Sequence, residues 1–391
     1  MVPLNQSLVK FFKAESAVGV LLILATVMAM LLANSQFSEL YTSFLDISVV
    51  VSIHEFTIAK PLLLWVNDGL MAIFFFMVGM EIKREVLEGS LSEVSKIVVP
   101  AFAALGGMIV PALVYVMFNW GDPIAMQGWA IPMATDIAFA LGILSLLGKR
   151  VPAELKIFLL ALAIIDDLGA IIVIALFFGH GLSTSALAVS GFFILLLMFL
   201  NWRGVTNNTI YVLLGIIIWA AVLKSGVHAT IAGVIIGLLV PLRNNQKSFH
   251  ELEDSLHAPV NYVILPLFAF VNTGVNFSGV SAKDFVDSVT IGITLGLFLG
   301  KQMGIFLFSL LAIVLKLGKL PDSLSYGHLY GISILGGIGF TMSLFIGSLA
   351  FECAGDVCIN MIDERIGILI GSLLSGTVGY LVLKKQLSLE K

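Results

Sequence analysis

A chain of 391 residues with 59% apolar side chains, 12% charged ones and a mean hydropathy of +1.05 cannot be a soluble globule, because a globule's polar surface must grow with its core. The bilayer is the solvent such a chain requires. The net charge of −4 is small, and without a basic tract or aromatic-interleaved basic patch nothing points to a nucleic-acid partner.

In chain order, Lys10 and Lys13 precede an apolar run from Ala14 to Ala33. No small-x-small cleavage site follows it cleanly and the run is long enough to span, so it reads as a first transmembrane helix and not as a signal peptide. Apolar runs of about 20 residues predict about twelve spans. They fall at 14–33, 61–82, 97–119, 124–147, 155–179, 183–201, 208–223, 226–241, 256–275, 289–315, 329–351 and 364–384. The seventh and eighth are short and poorly separated. The fold class expected is an all-α integral membrane protein with a single transmembrane domain over 1–391.

Lysine and arginine in the loops set the orientation. With twelve spans, sixteen of them fall on the side of both termini, among them Lys10, Lys13, Lys83, Arg84, Lys149, Arg150, Arg203, Arg243, Lys384 and Lys385. Four fall on the other side: Lys60, Lys224, Lys283 and Arg365. Both termini are therefore expected in the cytoplasm. On the outer side, the β-branched, partly alternating stretch within 45–59 predicts a hairpin. A hairpin alone is marginal in water; it either pairs with the same hairpin of a second subunit, giving a homodimer, or packs on its own chain.

Four ionisable residues fall at mid-span: Asp136 in the fourth helix, Asp166 and Asp167 in the fifth, and Lys301 in the tenth. Each costs roughly 2.5–3.5 kcal/mol at bilayer depth on insertion scales. Buried ion pairs that merely join helices often fail to recover their desolvation cost, so an ion or proton site is the stronger reading. Carboxylate oxygens are hard ligands suited to hard cations. Protons compete for the same oxygens, and competition at one site yields exchange if the site opens to one side at a time. Asp68, near the outer end of the second span, reads as interfacial. Lys224 sits near a helix end, and His228 reads as a helix-packing hydrogen bond.

Two spans are interrupted. The fourth contains Gly128-Trp-Ala-Ile-Pro-Met-Ala-Thr-Asp, where Pro132 removes a backbone donor just before Asp136. The eleventh contains Gly336-Gly-Ile-Gly-Phe-Thr-Met-Ser. Such glycines serve either close packing or an unwound segment. If two broken helices cross, like dipole ends meet, and Asp136 and Lys301 are the residues placed to compensate them. The matched units would be spans three to five, about 97–179, and ten to twelve, about 289–384.

At these residues the chain closely resembles the NhaA-type sodium/proton antiporters of bacteria. The resemblance is carried by Leu64-Trp-Val-Asn-Asp-Gly through Met80-Glu-Ile-Lys-Arg-Glu, Gly106-Gly-Met-Ile-Val-Pro, Gly128-Trp-Ala-Ile-Pro-Met-Ala-Thr-Asp, Leu162-Ala-Ile-Ile-Asp-Asp-Leu-Gly, Leu223-Lys-Ser-Gly-Val-His-Ala-Thr, Leu265-Pro-Leu-Phe-Ala-Phe and Gly337-Ile-Gly-Phe-Thr-Met-Ser. It runs nearly end to end. It implies inverted-topology repeats, a family feature that the sequence itself does not show. It implies sodium, with lithium, as transported ion, protons as counter-ion, and no cofactor or enzymatic activity. Localisation would be the bacterial inner membrane. Asp166 and Asp167 would sit at the ion site, Asp167 as sodium ligand and Asp166 paired with Lys301, with Thr135 and Asp136 in the unwound stretch. A pH-sensing cluster would match Glu81, Arg84, Glu85, Glu253 and His257; the family's best-known member has a histidine where this chain has Asp254, a departure that bears on the pH range of activation.

Cys353 and Cys358 form no metal or redox motif. They flank a short loop on the expected outer face, where an oxidising compartment permits a disulfide. Three other functions fit these residues less well. A sodium-coupled symporter of an organic solute needs polar or aromatic groups to shape a larger pocket, and the broken spans are rich in Gly, Ala and Ile instead. An intramembrane aspartyl protease needs its aspartates on separate helices around one water, unlike adjacent Asp166 and Asp167. A passive channel needs no titrating site.

Overall fold

The computed structural model describes residues 17–389 apart from 55, 90–92, 180, 243–245, 280, 282–283 and 352–360. The proposed disulfide between Cys353 and Cys358 lies outside the described residues.

The described chain is helical throughout except for one hairpin. In order come α1 (Ala17–Ala33), α2 (Ser38–Leu45), β1 (Ser48–Ile53), β2 (Phe56–Pro61), α3 (Leu62–Leu87), α4 (Val94–Asn119), a 3-10 helix (Ala125–Met133) and α5 (Ile137–Leu146). Then follow α6 (Ala153–Phe177), α7 (Thr184–Trp202), α8 (Asn208–Leu223), α9 (Ala229–Leu239), α10 (Gln246–Thr273), α11 (Ser288–Val314), α12 (Tyr326–Leu335), α13 (Phe340–Ala350) and α14 (Met361–Leu389). Helix is the form a chain this apolar must take, because hydrocarbon offers its backbone no other hydrogen-bond partners. Among the described residues seven helices are long and apolar enough to cross a membrane, or up to ten spans if each bent pair counts as one. The shorter α8 and α9 stand at the positions of the seventh and eighth expected spans.

Three differences from the sequence reading have a common cause. Helix α2 occupies what read as loop, α10 begins at Gln246 instead of 256, and α14 runs to Leu389 instead of 384. Each addition is polar or amphipathic, so a search for apolar runs passes over it.

The chain divides into two compact units. One takes the residues up to Asn34, Glu93–Ala170 and Thr273 onward; the other takes Ser35–Ser92 and Ile171–Asn272. In the first, one order of elements occurs twice: a long helix, a broken pair and a second long helix. The broken pairs are alike, with the 3-10 helix and α5 bent by 42° and α12 and α13 by 43°. Helices α4 and α11 make the closest long contact of this unit, Gly106 facing Gly304 and Gly300 lying against Pro111. A π-helical turn at Gly296–Gly300 ends directly before Lys301. Such single π turns insert a residue and turn the following side chain about the axis, and they gather at functional positions.

In the second unit α3 packs along α9, and a core of Met80, Leu197, Tyr211, Ile218, Ala232, Ile236 and Phe249 closes around them. The hairpin is antiparallel with Val50 opposite Ala59 and Val51 opposite Ile58. Ile58 is buried, while Val50 and Val51 are 55% and 43% exposed. Asp68 lies in a π turn of α3, and its carboxylate accepts a hydrogen bond from Lys60 Nζ at 2.6 Å. An ion pair across the strand-to-helix corner was not evident from two isolated charges. Lys224 Nζ donates to the Thr57 carbonyl at 2.7 Å, and His228 Nε2 lies 2.5 Å from the Phe178 carbonyl oxygen.

Candidate ion site

The two helix interruptions meet. The 3-10 helix ends at Met133, Ala134 turns extended (φ −78°, ψ 150°), and α5 begins after Asp136. Opposite it, α12 ends at Leu335 and α13 starts at Phe340. The backbone N–H of Asp136 donates to the Ile338 carbonyl at 2.6 Å, and the Thr135 hydroxyl donates to the Gly336 carbonyl at 2.9 Å. Each unwound stretch thus satisfies the other's freed polar groups, as the membrane interior demands. Gly339 lets the two stretches come this close: a Cβ there would lie 3.0 Å from the Ala134 carbonyl oxygen.

Asp136 joins the two N-termini at this crossing. Its Oδ1 accepts from Phe139 N–H at 2.9 Å, capping α5, and its Oδ2 accepts from Thr341 N–H at 3.0 Å and Thr341 Oγ1 at 2.5 Å in the first turn of α13. Each helix N-terminus carries about half a positive charge, so one carboxylate matches two. Ser372 adds a further tie, its hydroxyl accepting from Phe340 N–H at 3.1 Å.

Lys301 stands on the other side of the crossing. Its Nζ donates to Asp166 Oδ2 at 2.6 Å and to Thr135 Oγ1 at 2.8 Å. The Thr135 hydroxyl passes on to Gly336 at the end of α12, so the ammonium reaches the helix C-terminus through a hydroxyl instead of directly. Asp166 and Lys301 are each 1% exposed, Asp167 is 4%, Asp136 2% and Thr135 0%. Two adjacent carboxylates, Asp166 and Asp167, are thus buried with one ammonium, while Asp136 answers the two helix N-termini. Thr341 and Ser372 are the members that the sequence reading did not single out. Thr341 belongs to the glycine motif of the eleventh span, but only the crossing reveals its partner.

The acidic group in the second unit also assembles. Arg84 lies 3.0 Å from Glu253, 3.3 Å from Glu85 and 3.9 Å from Glu81. Glu85 and Glu253 are buried at 6% and 3% exposure. Two residues absent from the sequence reading extend the cluster: His250 lies 3.6 Å from both Glu253 and Glu88. Asp254 is exposed and His257 half-buried, and neither forms an ion pair among the described residues.

Two interrupted helices crossing over a buried charge pair define a secondary transporter of the broken-helix class. A sequence profile of the family described as Na+/H+ antiporter 1 matches residues 9–383. The Na(+)/H(+) antiporter NhaA of Yersinia enterocolitica is 52% identical over 384 residues, covering 98% of this chain and 97% of its own. Those of Serratia proteamaculans and Proteus mirabilis are 52% and 51% identical over 380 residues each. Among solved structures, the sodium proton antiporter MjNhaP1 from Methanocaldococcus jannaschii aligns with a TM-score of 0.54 at 14% identity, covering 95% of this chain and 92% of that one; at that identity it speaks for the fold alone. The chain belongs to the Na+/H+ antiporter 1 family.

Proposed function

We propose that the chain exchanges Na+ for protons across the membrane and that both compete for the carboxylates of Asp166 and Asp167. The observation that carries this is the charge imbalance of the buried site, where two adjacent carboxylates, Asp166 and Asp167, share one ammonium. One further positive charge is needed for balance, and either a proton or a metal cation can supply it. A sodium ion entering from one side takes carboxylate oxygens, displaces protons and loosens the bond between Asp166 and Lys301. After the site opens to the other side, protons take back the same oxygens and the ion leaves. Since more than one carboxylate titrates against one cation, the exchange moves net charge. Thr135 and Asp136 hold the crossing in register, and Lys301 keeps Asp166 paired while the site lacks its ion.

Several finer features belong to the same reading. Lithium, smaller and harder still, takes the sodium position. The protein lies in a bacterial inner membrane with twelve spans and cytoplasmic termini, on the strength of the loop charges. The two long–broken–long series of the first unit form inverted repeats. The exposed strand residues Val50 and Val51 suit pairing with a second copy. The Arg84 cluster, with Glu81, Glu85 and Glu253, tunes activity to pH, with His250 and Glu88 as added members and Asp254 and His257 at its edge.

Purified protein in lipid vesicles with an imposed pH gradient tests the reading. Addition of Na+ or Li+ is expected to collapse the gradient, and K+ to leave it. A gradient indifferent to Na+ from mildly acidic to alkaline pH would sink it.

A further inference from the structure

Glu364 is a carboxylic acid for which the exchange site has no use. It lies in the first turn of α14, is 2% exposed, and its Oε2 is buried with no hydrogen-bond partner among the described residues. An acidic residue early in a helix ordinarily faces water and offsets the helix dipole; this one faces inward. Its seat is a glycine of the broken helix α13. A Cβ on Gly347 would lie 2.9–3.0 Å from both carboxylate oxygens, so the carboxyl rests flat on that backbone. The groups facing it that carry or gain charge are Arg365, next in its own helix, and Tyr115 on α4, with Asp122 and Asp287 beyond the tyrosine. Tyr115 is fully buried, and its hydroxyl donates to the Ala125 carbonyl at 2.6 Å, the first residue of the 3-10 helix.

Glu364 thus touches the far half of one broken helix and, through Tyr115, lies beside the far half of the other. Gly347 stands six residues beyond Thr341, about 9 Å along the helix. Polar side chains occupy the ground between: Ser343, whose hydroxyl donates to the Ile131 carbonyl at 2.8 Å, and Ser372 and Ser375 on the face of α14 that also carries Glu364. A buried, incompletely satisfied carboxyl is expensive and is kept where it has work to do.

We propose that Glu364 is a proton relay of the outer half of the first unit. When the outer halves of the broken helices admit water, its carboxyl takes a proton from that water, forming the O–H bond as the hydronium loses it. It returns the proton to water on the inner side of the relay, from which the carboxylates of the crossing are reached. The inference rests on the exchange reading and topology proposed above.

The test compares right-side-out and everted membrane vesicles, so that the pH at each face is varied separately. Glu364→Gln keeps the shape and removes the titration. The rate of Na+-dependent exchange in this variant is expected to lose its response to outer-face pH, departing from wild type by about fivefold or more, the lower range of coupling between linked sites. Its response to cytoplasmic-face pH should be kept. Glu364→Asp should retain part of the outer-face response. Gly347→Ala, which displaces the carboxyl without removing it, should shift that response. Identical outer-face profiles for wild type and Glu364→Gln would overturn the relay. Wild-type vesicles without Na+-dependent exchange would instead overturn the exchange reading itself. Should Glu364→Gln fail to accumulate, equal profiles for wild type, Glu364→Asp and Gly347→Ala would count against the relay in the same way.

Discussion

Lys301→Met is expected to destabilise the protein by about 3–5 kcal/mol, the usual effect of stripping one partner from a buried ion pair. The ammonium and the Asp166 carboxylate are 2.6 Å apart, each 1% exposed. Methionine fills the stem of the lysine side chain but supplies no donor, so the carboxylate and the Thr135 hydroxyl both lose theirs. The companion change Asp166→Asn removes the uncompensated charge, so the double variant should regain much of what the single one loses. A buried pair replaced as a unit is often neutral in stability. Thermal unfolding in detergent, followed by tryptophan fluorescence, distinguishes the cases. Additive losses in the double variant would mean that the two groups do not act as a pair.

Asp136→Ala carries the second large effect, and it falls on both stability and transport. Three donors lose their acceptor at once: the backbone N–H of Phe139, the backbone N–H of Thr341 and the Thr341 hydroxyl. Hydrogen bonds to a charged acceptor contribute about 1.5–3 kcal/mol each, and orphaned buried donors add their desolvation penalty. Two facing helix N-termini also lose the charge that offsets them. Exchange should disappear and the unfolding midpoint should fall. Asp136→Asn restores one acceptor but turns an amide N–H₂ toward a donor, so it should lie between alanine and wild type. A fully active Asp136→Ala protein would show that the crossing does not depend on this carboxylate.

How much of this was legible in the sequence varies with the range of the signal. The spans were visible because an apolar run of about 20 residues is a local property. Asp136, Asp166, Asp167 and Lys301 stood out because charge at bilayer depth is costly wherever its partner lies. The interruptions were marked by Pro132 and by the Gly336–Gly339 motif. Pairings were not visible. Lys301 and Asp166 are separated by 135 positions and Asp136 and Thr341 by 205, and nothing near either residue names the other. Polar helix ends were also hidden. The first turns of α10 are amphipathic, burying Phe249 and Glu253 while exposing Glu251 and Asp254, so a hydropathy scan reads them as loop. Glu364 is hidden for the opposite reason. At the edge of an apolar run it resembles an ordinary flanking charge, and only the glycine under it shows that it points inward.

The most direct test of competition at Asp166 and Asp167 is proton release on sodium binding. Na+ is added to the detergent-solubilised protein in weakly buffered solution at mildly alkaline pH, and the solution pH is recorded. The wild type is expected to acidify the solution and Asp166→Asn/Asp167→Asn to leave it unchanged, with K+ as a silent control. Sodium binding without release of protons, or equal release from the double variant, would contradict that competition.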